Sequence, residues 1–546
     1  MRQPPDPRPA SRQASDRGAA PDPRVFGSGR NRDGIVLPLT GAVVAIAVAV
    51  VTLGSVAVVL AQGTGFALMS ADWIAVRFTV LQAAVSALVS VILAVPVARA
   101  LARRRFVGRG VLVTALGAPF LLPVIVAVLG LLAVFGRNGA LNSGLGALGL
   151  PAISIYGFHG VILAHVFLNL PLVVRMILQG WQAIPAERVR VAQSLGFGPG
   201  DIARHLERPM LRAVLPGAGL AVFLICLTSF AVALILGGGP RATTVELAIF
   251  QAIRFDFDLG RAAVLASVQF GLCAVAVLVA GRVTIPSGLG VGLDRPLVLP
   301  APCGWRRWVD AVAIALAAGF LLAPLMTVAA RGVSGLTDLP VAVWQAAGRS
   351  VMLALVSTGV TIAATLTLAQ AVIRGGRLGR LAELAGMLPL AASSLVLGVG
   401  IFLAVLPFAN PARLALPVTA LVNATLALPF ALRLILPALR EIEMTQGRLA
   451  QSLGMTGLQR LRLVTVPRLR RPLGFAAGLV AALAMGDLGV IALFATEQSQ
   501  TLPLQIWRLM GAYRTELAEA AALLLVALSF GLFMIFDHWG RRNAGS

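Results

Sequence analysis

Asp487 stands in an apolar run with Gly486 and Gly489 beside it. A charge at membrane depth costs about 2.5–3.5 kcal/mol on insertion scales, so such a group is a functional candidate by default. A lone carboxylate there offers two chemistries. It can line a route and lower the cost of desolvating a cation, or it can cap a broken helix. At an offset of 258 residues (487 − 229) its counterpart is Ser229, a hydroxyl in place of the carboxylate. His165 and Asn423 stand at the same offset, and Asn169 lies one helical turn from His165. That polar set suits a hydrogen-bonded helix contact as well as a cargo ligand. Arg175 and Arg433 are matched near the ends of their runs, where long basic side chains snorkel. No paired carboxylates, metal cluster or Ser/His/Asp set recurs at plausible depth, so catalysis by this chain is not expected. Cys226, Cys273 and Cys303 lack CxxC or metal-ligand spacing. The first two fall in apolar runs, where cysteine is a small hydrophobe.

The second constellation is mechanical. Arg190-Val-Ala-Gln-Ser-Leu-Gly196 is followed thirteen residues later by Pro209, and Arg448-Leu-Ala-Gln-Ser-Leu-Gly454 by Pro467 at the same distance. The spacing predicts a short helix, a glycine turn that tolerates φ > 0, a second short helix, and a proline that restarts a longer one. The repeat extends further. Asn169–Leu178 matches Ala427–Leu436, and Ala262-Ala263 matches Ala520-Ala521, all at offset 258 (450 − 192, 467 − 209, 520 − 262). A constant register over about ninety residues marks two copies of one unit.

The elements that carry these residues follow from composition. The chain has 546 residues, 58% of them hydrophobic and 12% charged, with a mean hydropathy of +0.89. A soluble domain is normally about 25% charged, so most of this surface belongs in lipid. Apolar runs lie at roughly 35–60, 78–101, 111–135, 158–180, 213–237 and 261–281, then at 309–330, 346–373, 383–407, 415–437, 472–495 and 518–537. They are continuous and about 20 residues long, which suits spanning helices and not the period-two pattern of a membrane β-barrel. The expected fold is therefore all-α and integral to a membrane, with about 12 transmembrane helices as two tandem six-helix repeats. Residues 1–34 read as a disordered cytoplasmic tail, 35–281 as the first repeat, 282–308 as a Pro/Gly-rich cytoplasmic linker and 309–540 as the second repeat. An even number of helices per repeat relates the halves by an axis along the membrane normal, with a path for cargo between them.

The net charge of +23 does not point to nucleic acid, because the basic residues cluster in short loops between runs. Arginines at 103–109, 188–212, 374–380, 448–471 and 541–542 fall on one side if the amino terminus is cytoplasmic. The opposite loops, 238–260 and 496–517, mix a few arginines with Glu246, Asp256, Asp258, Glu497 and Glu516. Both termini and both Gly–Pro loops are thus expected inside a multi-pass protein of the cell inner membrane. Every basic residue is arginine, and a P-loop needs a lysine. This chain therefore binds no ATP through that motif, and no cofactor is expected on it.

The duplicated loop resembles the EAA coupling loop of ABC-importer permeases. The resemblance implies docking on an ATP-hydrolysing subunit through Ala192, Gln193, Ser194, Leu195, Gly196 and Pro209, and through Ala450, Gln451, Ser452, Leu453, Gly454 and Pro467. Arg190 and Arg448 replace the family glutamate, and only the second alanine is kept. Ser229–Pro240, Ala242–Ala252, Gly486–Phe494 and Met510–Arg514 resemble the thiamine (thiamine pyrophosphate) permeases, in which both halves are fused in one chain. That resemblance implies import by alternating access, two copies of a separate ATPase subunit that uses the ATP, an extracytoplasmic substrate-binding protein and a thiamine-class cargo. Asp487, with Ser229, His165 and Asn423, would then line the path, the carboxylate facing a cationic thiazolium ring. Fused ferric-iron permeases share the architecture, and an ion-coupled twelve-helix transporter is the alternative from another class.

Overall fold

The computed structural model describes residues 33–63, 68–104, 106–116, 122–239, 242–282, 304–455 and 457–542. The tail before residue 33, Cys303 and most of the linker lie outside the described residues. What is described is helical throughout, in keeping with continuous apolar runs whose backbone groups must pair internally.

In the first half, α1 (Asp33–Ala49) and α2 (Ser55–Gln62) join through a π turn, followed by α3 (Ser70–Arg103), α4 (Arg109–Ala115), α5 (Val124–Phe135), α6 (Ala140–Ala147) and α7 (Phe158–Gln182). Then come α8 (Ala186–Ser194), α9 (Pro199–Ile202), α10 (Arg208–Leu227), α11 (Phe230–Leu236), α12 (Val245–Arg254) and α13 (Leu259–Arg282). The second half holds α14 (Arg306–Ser334), α15 (Val341–Arg374), α16 (Gly376–Met387), α17 (Ser394–Val405) and α18 (Ala415–Ser452). It closes with α19 (Gly457–Arg460), α20 (Val466–Met485), α21 (Gly489–Phe494), α22 (Leu502–Gly511) and α23 (Thr515–Arg541).

Among the described residues eleven helices are long and apolar enough to cross a membrane. A twelfth span is a bent pair, Gly376–Ala391 with Ser394–Val405, its parts inclined at 98°. The expected run at 383–407 is therefore an elbow, with Pro389 in its turn. Its counterpart at 111–135 is likewise split into α4 and α5. The runs at 213–237 and 472–495 also break, before α11 and before α21. Hydropathy alone does not register these breaks, because both pieces stay apolar.

Each half begins with a helix that crosses to the other. α1 packs on α15 and α16 and α2 on α17, while α14 packs on α3 and α5. Glycine permits both crossings. A Cβ on Gly130 would lie 2.9 Å from the Pro324 carbonyl oxygen, and one on Gly400 would lie 2.5 Å from Ser55 Cβ. These contacts are related by the repeat, at offsets of 270 (400 − 130) and 269 (324 − 55). The offset drops to 258 only after a 12-residue excess (270 − 258) in the first half, between Gly130 and His165, where α6 sits.

Candidate functional site

The duplicated loops fold as the same object twice. α8 ends at Ser194, and Gly196 follows at φ +74°; α18 ends at Ser452, and Gly454 follows at φ +64°. In the first loop the Phe197 N–H donates to the Ala192 carbonyl at 2.9 Å, and in the second the Met455 N–H donates to the Ala450 carbonyl at 3.0 Å. These six-residue closures over a left-handed residue satisfy carbonyls that the helix end leaves free. A side chain at either glycine would pay the left-handed penalty. Ser194 and Ser452 each donate to the carbonyl three residues back, at 2.9 and 2.8 Å. Pro209 and Pro467 occupy the second position of α10 and α20, each directly after a π turn that interrupts the α-helical bonding a proline cannot join.

One feature of the loops is not visible in the motif. Both loops enter the next span through a five-residue π turn, Ala203–Glu207 and Leu461–Thr465. Such turns inside helices are rare and concentrate at functional positions.

Which side chains face outward is also duplicated. Ala192 and Ala450 are buried, whereas Val191 and Leu449 are exposed, as are Leu195 (68%) and Leu453 (62%). The result is an apolar pair four residues apart at the tip of each loop, on one helical face. Gln451 is exposed beside it. Arg175 and Arg433 are exposed in their spans.

The anchoring beneath the loops is not duplicated. Glu207, in the first π turn, is buried and pairs with Arg99 and Arg103 of α3, at 3.1 Å each. Its counterpart is Thr465 (465 − 207 = 258). The second loop is held instead by an ion pair between Glu443 of α18 and Arg460 of α19. The chain enters the first loop through a break at 183–185, containing Pro185, whereas α18 runs unbroken for 38 residues into the second.

The polar groups at membrane depth form two separate sets, one in each half. The Ser86 hydroxyl bonds His165 Nδ1 at 3.2 Å, and the Asn169 amide donates to the His165 carbonyl at 2.9 Å and approaches Cys226 Sγ at 3.5 Å. In the second half, Asp487 lies just ahead of α21 and faces the backbone N–H groups of Gly489, Val490 and Ile491. The Asn423 side chain approaches the same carboxylate, yet Asn423 Nδ2 and Asp487 Oδ2 both complete no hydrogen bond of ordinary geometry. Asp487 therefore sits at the head of α21 with one enclosed oxygen uncommitted. Ser229 takes the equivalent position at the head of α11 without bonding into that helix. His165 and Asn423 share no hydrogen bond, so the structure does not bring the two sets together.

Glu246, read from the sequence as an acid of the 238–260 loop, sits on the short helix α12 within that stretch. It is fully buried on α12, its Oε1 3.5 Å from Gln269 Nε2, while Oε2 has no partner. Its carboxyl also reaches Ser393 of the elbow in the second half. Thr79 and Ser350 were missed as well. Their hydroxyls accept from the N–H groups of Val245 (2.9 Å) and Leu502 (2.8 Å) and so dock α12 and α22 on the long helices. The offset of 271 (350 − 79) shared with Ser86 and Ser357 was the available signal.

No protein-family model matches the chain. It is 38% identical over 491 residues to the thiamine transport system permease protein of Salmonella typhimurium, covering 86% of this chain and 90% of that one. It is 39% identical over 476 residues to the thiamine transport system permease protein of Brucella abortus, covering 85% and 87%. A molybdenum transport system permease protein of Azotobacter vinelandii is 30% identical over 184 residues, a third of this chain (33%) but 81% of that protein. A match of that length fits a relative about the size of one half. A multi-pass protein built from two permease halves and similar to these relatives over most of both chains belongs to the thiamine transport system permease family.

Proposed function

We propose that the chain is the membrane-spanning subunit of an ATP-driven importer that moves thiamine or its phosphate esters into the cytoplasm by alternating access. The observation that carries this reading is the pair of loops with one backbone design and one exposed apolar pair each. Two copies of a separate ATPase subunit dock there, one on each loop. Their closure pushes α10 and α20 through the π turns, and the crossed first helices link the two halves during the movement. An extracytoplasmic binding protein delivers cargo to the opposite face. The arginine-rich loops support a cytoplasmic location for both termini of this inner-membrane protein. The likeness to thiamine-system permeases supports thiamine over the ferric-iron alternative. Asp487 supplies a negative group toward the thiazolium ring through its uncommitted oxygen, and Ser229, His165 and Asn423 line the same path.

The test is uptake into liposomes. Substrate is expected to enter only with the ATPase partner, ATP and the binding protein all present. Uptake by the permease alone under a proton or sodium gradient would overturn the reading.

A further inference from the structure

On the face opposite the duplicated loops, a cleft of about 410 Å³ opens between the two halves. That lies within the roughly 300–1,000 Å³ of small-molecule sites. Its walls are Phe257 from the turn after α12, and Phe402 and Phe494 from α17 and α21. Phe402 packs edge to face at 5.4 Å on the buried Phe494, which backs it and fixes its ring at the cleft. Phe257 is 79% exposed and held at φ +53°, an unusual conformation for a bulky residue. Its ring is presented to solvent at the cleft instead of packing away.

The polar lining has one sign. Arg254 lines the cleft, with Asn410 and Thr496 as neutral neighbours, and no carboxylate lines it. The guanidinium spans the seam between the halves to donate to the Ala495 carbonyl at 3.4 Å, a long bond. It has no ion pair among the described residues, although Arg261 close by takes both Asp72 and Asp256. The cleft thus offers flat apolar contact and an unneutralised cation with spare donors, which suits an anionic oxygen cluster. α21 ends at this cleft, and Asp487 precedes its other end.

We propose that this cleft is a binding subsite for an aromatic phosphate ester, with the ring against Phe257 and Phe402 and the phosphate on Arg254. The proposal rests on the thiamine-class reading above and assigns Arg254 the choice between phosphorylated and free forms. The experiment measures uptake of thiamine and of thiamine pyrophosphate by the complete transporter in liposomes, for the native chain, Arg254→Gln and Arg254→Lys. The ratio of pyrophosphate to thiamine uptake is read within one preparation, so it does not depend on how much variant protein folds. Arg254→Gln is expected to lower that ratio about tenfold, and Arg254→Lys to keep it within about threefold. An unchanged ratio in Arg254→Gln, or equal loss of both substrates, overturns the subsite and leaves Arg254 a seam contact. Failure of the native transporter to move either compound would instead count against the thiamine reading.

Discussion

The two loops differ in how they are held, not in what they present. The first is entered through a break containing Pro185 and tied by Glu207 to Arg99 and Arg103, on a helix over a hundred residues earlier. The second is the unbroken end of α18 and carries an ion pair within the loop itself, between Glu443 and Arg460. Left-handed glycine, buried alanine, exposed aliphatic pair, π turn and proline are nonetheless the same in both. Duplicated units keep the surface that meets a duplicated partner. The supports beneath are free to diverge, because any rigid support serves. The same lesson appears where Arg261 pairs with Asp72 of α3 in one half while its counterpart Glu519 pairs with Arg331 of α14, a non-equivalent helix, in the other.

The comparison breaks most visibly at the glycines. Gly196→Val and Gly454→Val each place a β-branched residue in left-handed backbone, at a cost of roughly 1–2 kcal/mol or more. Each is expected to lower ATP-dependent uptake more than about tenfold while the partner's hydrolysis continues. Loss from one loop and normal coupled uptake from the other would show that only one copy acts.

Next in size is the buried support. Glu207→Gln removes the charge that two arginines share, and a destabilisation of about 3 kcal/mol is expected for a broken buried pair. Glu443→Gln touches a more exposed pair and should cost about 1 kcal/mol or less. Thermal unfolding of the two variants in detergent measures the difference, and equal shifts would contradict the unequal anchoring.

At membrane depth, Asp487→Asn should reduce uptake of a cationic substrate about fivefold, an effect of about 1 kcal/mol. Ser229→Ala, at the equivalent head of α11, should change it less than about twofold. If Asp487→Asn lowers thermal stability while uptake per folded molecule is unchanged, capping is its whole role.

The smallest effect is expected at the loop tips. Leu195→Ala and Leu453→Ala should weaken ATPase binding about threefold each, as single contacts beside an interface centre usually do. Co-purification across a concentration series would detect it, and their sum in the double variant would test whether the two tips act independently.

Much of this was legible in the chain itself. The loops were, because their signals are local: φ > 0 selects glycine, a helix start tolerates proline, and thirteen residues fix the distance between them. The helix break beside Asp487 was legible too, since glycines on both sides mark a helix that stops. The burial of Glu246 was not, because it depends on Gln269 and on Ser393 from the other half. The elbow at 388–393 and the crossed first helices were hidden for a related reason. Hydropathy reports that a segment is apolar, and an apolar segment serves a straight span, a bent one or a swapped one equally well.

The sequence by itself therefore determined a lipid-embedded, duplicated helical permease and the form of its two loops, since solvent preference and backbone sterics act over a few neighbouring residues. Only the tertiary structure decided which helix of one half leans on the other, where the spans break, and that Arg254 shares a cleft with Phe402 and Phe494 from across the seam. Those outcomes depend on close packing between segments far apart in the chain, where Gly130 admits Pro324 and Gly400 admits Ser55, and no local pattern encodes that approach.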